Sequence, residues 1–218
     1  MKFDIKYEHL AHFRASHDIT YRENEMLFVL HGYGQLSEFF LKKLSPLFSE
    51  ERLIVAPEAT NYHYLQGFSG RVGANWMTKH ERESAISNNN NYLNAILELL
   101  LSNYKSFPIL KVLGFSQGAA TATRWVSQLK VPIETLILWG GGFAHDLEPE
   151  KASLKLKKTN CFIATGDRDE FITEESMSKQ DELIKAMRLK VERVVYPGGH
   201  DLDLGVLSHL IERQKVNG

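Results

Sequence analysis

The stretch Gly114-Phe115-Ser116-Gln117-Gly118 joins a strand-like run of the sequence to a helix-like run. An apolar segment precedes it and an alanine-rich segment follows it. We therefore predict a strand at residues 109–114 and a helix over residues 116–129. The two glycines lack the Cβ atoms that would collide where the strand and the helix approach each other.

A serine at such a bend has a specific chemical use. A serine hydroxyl is a weak nucleophile until it is exposed to a base, and a strained strand-to-helix turn exposes it. The start of the helix adds free N–H groups and a positive dipole end, which favour a nearby anion. We therefore predict that Ser116 is a nucleophile and that the backbone N–H of Gln117 is an oxyanion donor.

The remaining chain alternates between strand-like and helical runs, which is typical of a mostly parallel sheet with helices on both faces. Further strands are predicted at residues 26–31, 53–56, 135–139, 160–165 and 191–196. Helical spacing begins at residues 36–48 and continues at residues 92–104, 174–187 and 202–211. We also expect an edge hairpin within residues 3–19 and a long irregular loop over residues 58–82.

Length, charge and cysteine count restrict the class of protein. A chain of 218 residues suits a single domain over 1–218. The net charge of -1 gives no indication of nucleic acid as a partner. No apolar run is long enough to span a bilayer and the N-terminus lacks a signal-peptide pattern, so we expect no stable membrane insertion. With a lone cysteine, Cys161, no internal disulfide can form, and we expect a cytoplasmic location.

A second oxyanion donor is expected in the stretch His31-Gly32-Tyr33-Gly34, which follows the predicted strand at residues 26–31. The two glycines allow the backbone to approach a ligand closely. We assign the backbone N–H of Tyr33 to this role. His31 could itself be considered as a base, but we favour a buried histidine that orients the loop through hydrogen bonds.

A nucleophilic serine of this kind works with a histidine base and with a carboxylate, the acid of the triad, that orients the histidine. In the chain order typical of this turn, the acid comes before the histidine, and each lies just past a later strand. Asp167 and Asp169 come after the strand at residues 160–165, and His200 comes after the strand at residues 191–196. Strand C-terminal ends are where open α/β sheets place their sites. We predict His200 as the general base and Asp169 as the acid, because Asp169 lies further into its loop. Asp167 is the competing acid and is otherwise interpreted as a turn-forming carboxylate.

No metal site and no cofactor are expected. The nine histidines and Cys161 show no spacing that is typical of zinc. The glycine run at residues 140–142 is too weak a pattern for a dinucleotide or phosphate loop.

These motifs together resemble the phospholipase/carboxylesterase family of α/β-hydrolases, which includes bacterial carboxylesterases and acyl-protein thioesterases. The resemblance covers residues 26–209 and rests on the loop at residues 31–34, the GFSQG stretch, the segment at residues 166–172 and the GGH at residues 198–200. It implies that Asp169 is the acid and that Tyr33 and Gln117 supply the oxyanion donors. This chain departs from the family pattern at Gln35 and at residues 76–78, which bears on specificity rather than on the triad.

The resemblance implies an α/β-hydrolase fold without a large lid domain and an esterase that cleaves small short- to medium-chain carboxylic esters. Thioesterase and lysophospholipase activities, and a catalytically silent ligand receptor, remain open alternatives. The chain is expected to be a monomer or a homodimer. The predicted walls of the cleft are aromatic side chains: Tyr62, Tyr64, Phe68, Trp76 and Phe143.

Overall fold

The computed structural model describes residues 1–213, and these residues form six α-helices and nine β-strands. The strands are β1 (Phe13–Ala15), β2 (Glu25–Leu30), β3 (Arg52–Pro57), β4 (Asn61–Tyr64), β5 (Val72–Asn75), β6 (Ile109–Phe115), β7 (Thr135–Trp139), β8 (Asn160–Gly166) and β9 (Val191–Tyr196). The helices are α1 (Ser37–Lys43), α2 (Arg82–Leu101), α3 (Gln117–Val126), α4 (Pro149–Leu156), α5 (Glu174–Met187) and α6 (Leu204–Glu212).

Seven of these strands form one sheet in the order β1-β3-β2-β6-β7-β8-β9. The six strands β3, β2, β6, β7, β8 and β9 run parallel to one another. At one edge of this sheet, β1 pairs with β3 and runs antiparallel to it. The predicted mostly parallel sheet is therefore confirmed. Because parallel strands end at the same edge, the loops after β2, β6, β7, β8 and β9 meet there.

Strand β2 shows why the sheet is covered on both faces. Met26, Phe28 and Leu30 belong to the apolar core on one face, which also contains side chains of α2 to α5. Leu27 and Val29 belong to the core on the other face, beneath α1 and α6. Alternate residues of a strand point to opposite faces, so a continuous apolar run fits a strand that is buried on both.

The predicted hairpin in residues 3–19 is wrong. This segment contains a single three-residue strand, β1, which pairs with β3. Residues 1–10 are exposed and make no strand pairing in the structure. The polar alternation of this segment is also compatible with one edge strand, because pairing along β3 satisfies its backbone without a second strand.

The loop prediction for residues 58–82 is also corrected. This segment contains the antiparallel hairpin β4–β5, separate from the main sheet. The hairpin is fixed by two backbone hydrogen bonds to the loop after β2: Gly34 N–H donates to Ala74 O at 2.8 Å, and Ala74 N–H donates to Gln35 O at 3.1 Å. These contacts join segments far apart in the sequence, so no local pattern predicts them.

Two helices differ most from the prediction, and α1 is also shorter than predicted because it ends at Lys43. Helix α2 begins at Arg82, ten residues before the predicted start, and so includes the run Asn88–Asn91. Asparagine is a weak helix former, but Asn89 is buried and its amide donates to Trp76 O at 2.7 Å, which shows how tertiary contact overrides propensity. Helix α4 was not predicted, although Pro149 at its first position is a typical start.

Among residues 1–213, no helix combines the length and the apolar character that a bilayer crossing requires.

Candidate active site

Ser116 lies between the end of β6 and the start of α3, at the carboxyl edge of the sheet. Its backbone has φ 53° and ψ -117°, a region that residues with a side chain rarely adopt. Two hydrogen bonds fix Ser116 in this strained conformation. Its N–H donates to Trp139 O at 2.8 Å, and its backbone O accepts from Ala119 N–H at 3.0 Å. The turn therefore presents the side chain of Ser116 at the edge of the sheet.

The two glycines of the stretch are required by close packing. A methyl group on Gly114 would lie 2.5 Å from Ala119 Cα, and one on Gly118 would lie 2.2 Å from Leu30 O. Neither contact can be relieved, because both neighbours are backbone atoms. The sharp turn thus depends on helix α3 approaching both β6 and the end of β2.

The loop after β2 lies beside this turn. A methyl group on Gly32 would lie 3.2 Å from Ser116 Cβ, so the loop and the serine are in contact. Gln35 stabilises the loop by accepting from Gly32 N–H at 2.9 Å through its side chain. Within residues 1–213, the backbone N–H groups of Tyr33 and Gln117 donate no hydrogen bond. Both predicted oxyanion donors are therefore available to a ligand.

His31 is a structural residue of this loop. Its side chain is buried, and its Nδ1 donates to Gly32 O at 2.8 Å while its Nε2 accepts from Ala59 N–H at 3.1 Å. Burial lowers the pKa of His31, so the ring is neutral at physiological pH. Both ring nitrogens are engaged in the loop, which leaves none for proton transfer.

His200 and Asp169 form the central contact of the site. Nδ1 of His200 lies 2.8 Å from Oδ2 of Asp169. The other carboxylate oxygen of Asp169 accepts from Phe171 N–H at 3.0 Å, and the Asp169 side chain is fully buried. A buried carboxylate of this kind fixes Nδ1 as the protonated nitrogen and leaves Nε2 of His200 as an acceptor.

The competing carboxylate has a different environment. Asp167 accepts from Gly198 N–H at 2.9 Å and is about half exposed. It therefore tethers the loop after β9 to the loop after β8, as a turn-forming carboxylate does. Only Asp169 of the two bonds the imidazole of His200.

Aromatic rings hold the imidazole of His200 from two sides. The ring of Phe115 lies 5.0 Å from it and the ring of Phe171 lies 4.7 Å from it, measured between centroids. The loop of His200 is further held where Tyr196 O–H donates to Asp201 O at 2.6 Å and Trp139 N–H donates to the same oxygen at 2.9 Å. These supporting residues were not identified from the sequence.

The glycines after β7 lie between the serine and the histidine. A methyl group on Gly140 would lie 2.9 Å from His200 Cε1, and one on Gly141 would lie 2.7 Å from Ser116 O. In the described part of the chain, no hydrogen bond joins Ser116 Oγ to His200. Such bonds often tighten only when a substrate is bound. In the sequence, the glycine run at residues 140–142 is only a weak pattern for a dinucleotide or phosphate loop, so its contact with the site was not predicted.

Two of the five predicted wall residues are not at the surface. Trp76 is fully buried, and its indole N–H donates to His31 O at 2.8 Å. Phe143 is 3% exposed. Its backbone N–H donates to the side-chain oxygen of Gln180, and the side-chain NH₂ of Gln180 donates to Phe143 O. Both rings therefore pack in the core, where a large apolar surface is stable and the indole N–H of Trp76 has its partner.

The other three predicted wall residues, Tyr62, Tyr64 and Phe68, are exposed on the β4–β5 hairpin. Their neighbours Leu65, Arg71 and Val72 instead line a groove of about 480 Å³ between the hairpin and α1. The groove begins at Gly34 and Gln35 of the loop after β2, next to the candidate site.

A larger cavity of about 670 Å³ lies at the opposite edge of the sheet, near the starts of β6, β7 and β8. Its lining includes none of the residues that form the serine turn or the His200 contact. Cavity size therefore does not identify the site. The smaller groove lies nearer to the candidate site, because Gly34 in its lining directly follows Tyr33.

The sequence of this chain matches the phospholipase/carboxylesterase family over residues 19–213. The chain belongs to the phospholipase/carboxylesterase family. No curated protein matches the chain.

Solved structures of similar fold include acyl-protein thioesterase 2 of Zea mays, with 16% identity and a TM-score of 0.69 over 93% of this chain and 98% of that one. A phospholipase/carboxylesterase from Dyadobacter fermentans has 20% identity and a TM-score of 0.69 over 96% and 100% of the two chains. SOBER1 of Arabidopsis thaliana has 19% identity and a TM-score of 0.69 over 86% and 97%. The α/β-hydrolase fold of this phospholipase/carboxylesterase family member is therefore confirmed.

Proposed function

We propose that this protein is a serine esterase in which Ser116, His200 and Asp169 form a catalytic triad, acting on short- to medium-chain carboxylic esters. The observation that carries the proposal is the 2.8 Å contact between His200 Nδ1 and buried Asp169 beside a serine held at φ 53°. A strained serine and an oriented imidazole at one sheet edge have no evident structural purpose apart from nucleophilic catalysis.

In the acylation step, Nε2 of His200 takes the hydroxyl proton as Ser116 Oγ attacks the ester carbonyl carbon. The negative charge of the tetrahedral intermediate develops on the former carbonyl oxygen. The free N–H groups of Tyr33 and Gln117 are the donors that stabilise this charge. Asp169 stabilises the imidazolium and keeps its Nδ1 proton in place.

The intermediate collapses when the imidazolium returns the proton to the leaving alcohol, which leaves the acyl group on Ser116. His200 then takes a proton from water as the water oxygen attacks the acyl-enzyme carbonyl. The imidazolium returns that proton to Ser116 Oγ as the bond to the acyl carbon breaks, which releases the carboxylic acid and restores the serine. All groups that these steps require lie on the loops after β2, β6, β8 and β9, at one edge of the sheet.

The proposal is tested with 4-nitrophenyl esters of increasing acyl length. We expect hydrolysis by the wild-type protein and none above background for Ser116→Ala. A fluorophosphonate probe should label the wild type at Ser116, as located by peptide mass spectrometry. Folded wild-type protein that neither reacts with the probe nor cleaves any ester would refute the proposal and favour a ligand receptor.

An acyl-thioester is the second substrate class to test, because one solved structure of similar fold is an acyl-protein thioesterase. The same triad serves both, since the acyl-enzyme is identical and only the leaving group differs. The matched comparison is an octanoyl ester against an octanoyl thioester, with Ser116→Ala as the control for both.

A further inference from the structure

The groove between α1 and the β4–β5 hairpin combines an apolar surface with a positively charged rim. Its apolar surface is formed by Leu36, Phe39, Phe40, Leu65 and Val72. Two cationic side chains, Lys43 and Arg71, complete the lining, and no carboxylate among the described residues takes part in it. The groove is therefore suited to a ligand that is apolar along its length and negatively charged at one end.

The groove lies beside the loop that carries the predicted oxyanion donor Tyr33. Gly34 and Gln35, which directly follow Tyr33 in the sequence, belong to its lining. Phe40 on its floor packs against Phe115, with ring centroids 5.9 Å apart, and Phe115 packs against His200. The groove and the serine turn thus share the loop after β2, and the packed rings of Phe40 and Phe115 fix the groove floor relative to His200.

The two cations differ in how far they are already neutralised. Lys43 donates to Asp201 at 2.9 Å, in an exposed pair next to His200. The guanidinium of Arg71 makes no hydrogen bond and no ion pair within residues 1–213. An arginine without an anion, placed at the rim of an apolar groove, offers a two-pronged donor for a carboxylate or a similar anion.

The hairpin is held in place well enough to position such a donor. Beyond the two backbone hydrogen bonds that join β5 to the loop after β2, Leu65 N–H donates to Arg71 O at 2.8 Å and closes the hairpin end. A methyl group on Gly73 would lie 2.4 Å from Gly34 O, so strand and loop are in tight contact. Arg71 therefore projects from a segment that is fixed relative to the oxyanion loop.

We propose that this groove selects esters that carry an anionic group separated from the ester carbonyl by an apolar segment, with Arg71 as the main specificity residue and Lys43 as a secondary one. This inference rests on the proposed esterase function and names its substrate class. The anion can belong to the acyl part or to the leaving alcohol, and the shared chemistry is an ester with a remote negative charge.

The experiment compares kcat/KM for matched esters of equal chain length. The acyl-side pair is the mono-4-nitrophenyl ester of octanedioic acid against 4-nitrophenyl octanoate. The alcohol-side probe is the octanoate ester of 4-hydroxybenzenesulfonate. Each is measured with the wild type, Arg71→Met and Lys43→Met, so that the intrinsic reactivity of each ester cancels in the ratio of variant to wild type.

We expect Arg71→Met to lower kcat/KM about tenfold for one of the anionic esters and to leave the neutral octanoate within about twofold. The loss should shrink as ionic strength rises, because screening weakens an exposed charge contact. Lys43→Met should show a smaller loss in the same direction. The matched controls are Arg22→Met and Lys42→Met, exposed cations outside the groove lining, which should leave all ratios unchanged.

Equal losses on neutral and anionic esters, or no loss on any, would overturn the inference while leaving the esterase proposal intact. If the wild type hydrolyses none of these esters and Ser116 resists the fluorophosphonate probe, both proposals fail together. The Ser116→Ala control on 4-nitrophenyl octanoate separates the two cases.

Discussion

Gly140 lies directly against the imidazole of His200: a methyl group at position 140 would be 2.9 Å from Cε1 and 3.0 Å from Nδ1 of that ring. Gly140 also has φ +55°, a conformation that favours glycine. We predict that Gly140→Ala destabilises the fold by about 1 kcal/mol through backbone strain and lowers kcat about a hundredfold by displacing His200.

The control for this prediction is Gly67→Ala. Gly67 has a similar φ of +59°, but nothing lies within 4 Å of a methyl group placed there. Gly67→Ala should lower the stability of the fold by the same amount, as measured by thermal denaturation, and should leave ester hydrolysis unchanged. Equal kinetic loss in both variants would show that strain, and not contact with the imidazole, is responsible.

The second prediction distinguishes the two aspartates. Asp169→Asn should lower kcat by about 10³- to 10⁴-fold, because an amide at this position no longer fixes the Nδ1 proton or stabilises the imidazolium. Asp167→Asn should change kcat by less than about fivefold, since Asp167 bonds Gly198 N–H and not the imidazole. Circular dichroism must show that both variants are folded. If Asp167→Asn lowered kcat more than Asp169→Asn does, the assignment of Asp169 as the acid would be wrong.

The third prediction concerns Trp76, which is fully buried instead of lining the cleft. Trp76→Phe removes the indole N–H that donates to His31 O and leaves that carbonyl without its partner. We expect a loss of about 1–3 kcal/mol in the free energy of unfolding, measured by urea denaturation. The dependence of kcat/KM on acyl chain length should remain that of the wild type. A shift in chain-length preference would restore Trp76 as a substrate contact.

The fourth prediction is a pH dependence of stability that originates at Glu23. Burial alone would raise the pKa of this carboxyl, but hydrogen bonds from Tyr104 and Thr20 outweigh burial and lower the pKa from 4.5 to about 2. Tyr104 O–H donates to Glu23 at 2.6 Å. Because the folded-state pKa is depressed, the carboxylate stabilises the fold above pH 4.5, and this contribution is lost as the pH falls from 4.5 toward 2.

Tyr104→Phe should therefore cost about 2 kcal/mol of unfolding free energy at neutral pH, as expected for a hydrogen bond to a charged acceptor. The cost should shrink as the pH falls below 4.5, because the variant carboxyl has lost one of the hydrogen bonds that lower its pKa and takes up its proton at a higher pH than the wild type. Tyr7→Phe is the control, because Tyr7 is exposed and its hydroxyl makes no hydrogen bond within residues 1–213. A cost for Tyr104→Phe that does not vary with pH would contradict the assignment to Glu23.

The parts of the fold that were predicted from sequence are those with a strong local pattern. Strands β7 and β9 and helix α5 have the predicted bounds. The parts that were missed have weak local patterns and are stabilised from a distance. The β4–β5 hairpin depends on Gly34 and Gln35, and the first turns of α2 depend on the buried amide of Asn89.

The amino-acid sequence by itself determined the alternating strands and helices, the serine turn between two glycines and the order in which Ser116, Asp169 and His200 follow one another. Those features depend on side-chain periodicity and on the backbone freedom of neighbouring residues, which a linear pattern records. Tertiary structure decided that Asp169 and not Asp167 bonds His200, that Trp76 is buried, and that Gly140 contacts the imidazole. Each of these depends on the distance between segments far apart in the chain, and only packing around a common core fixes such distances.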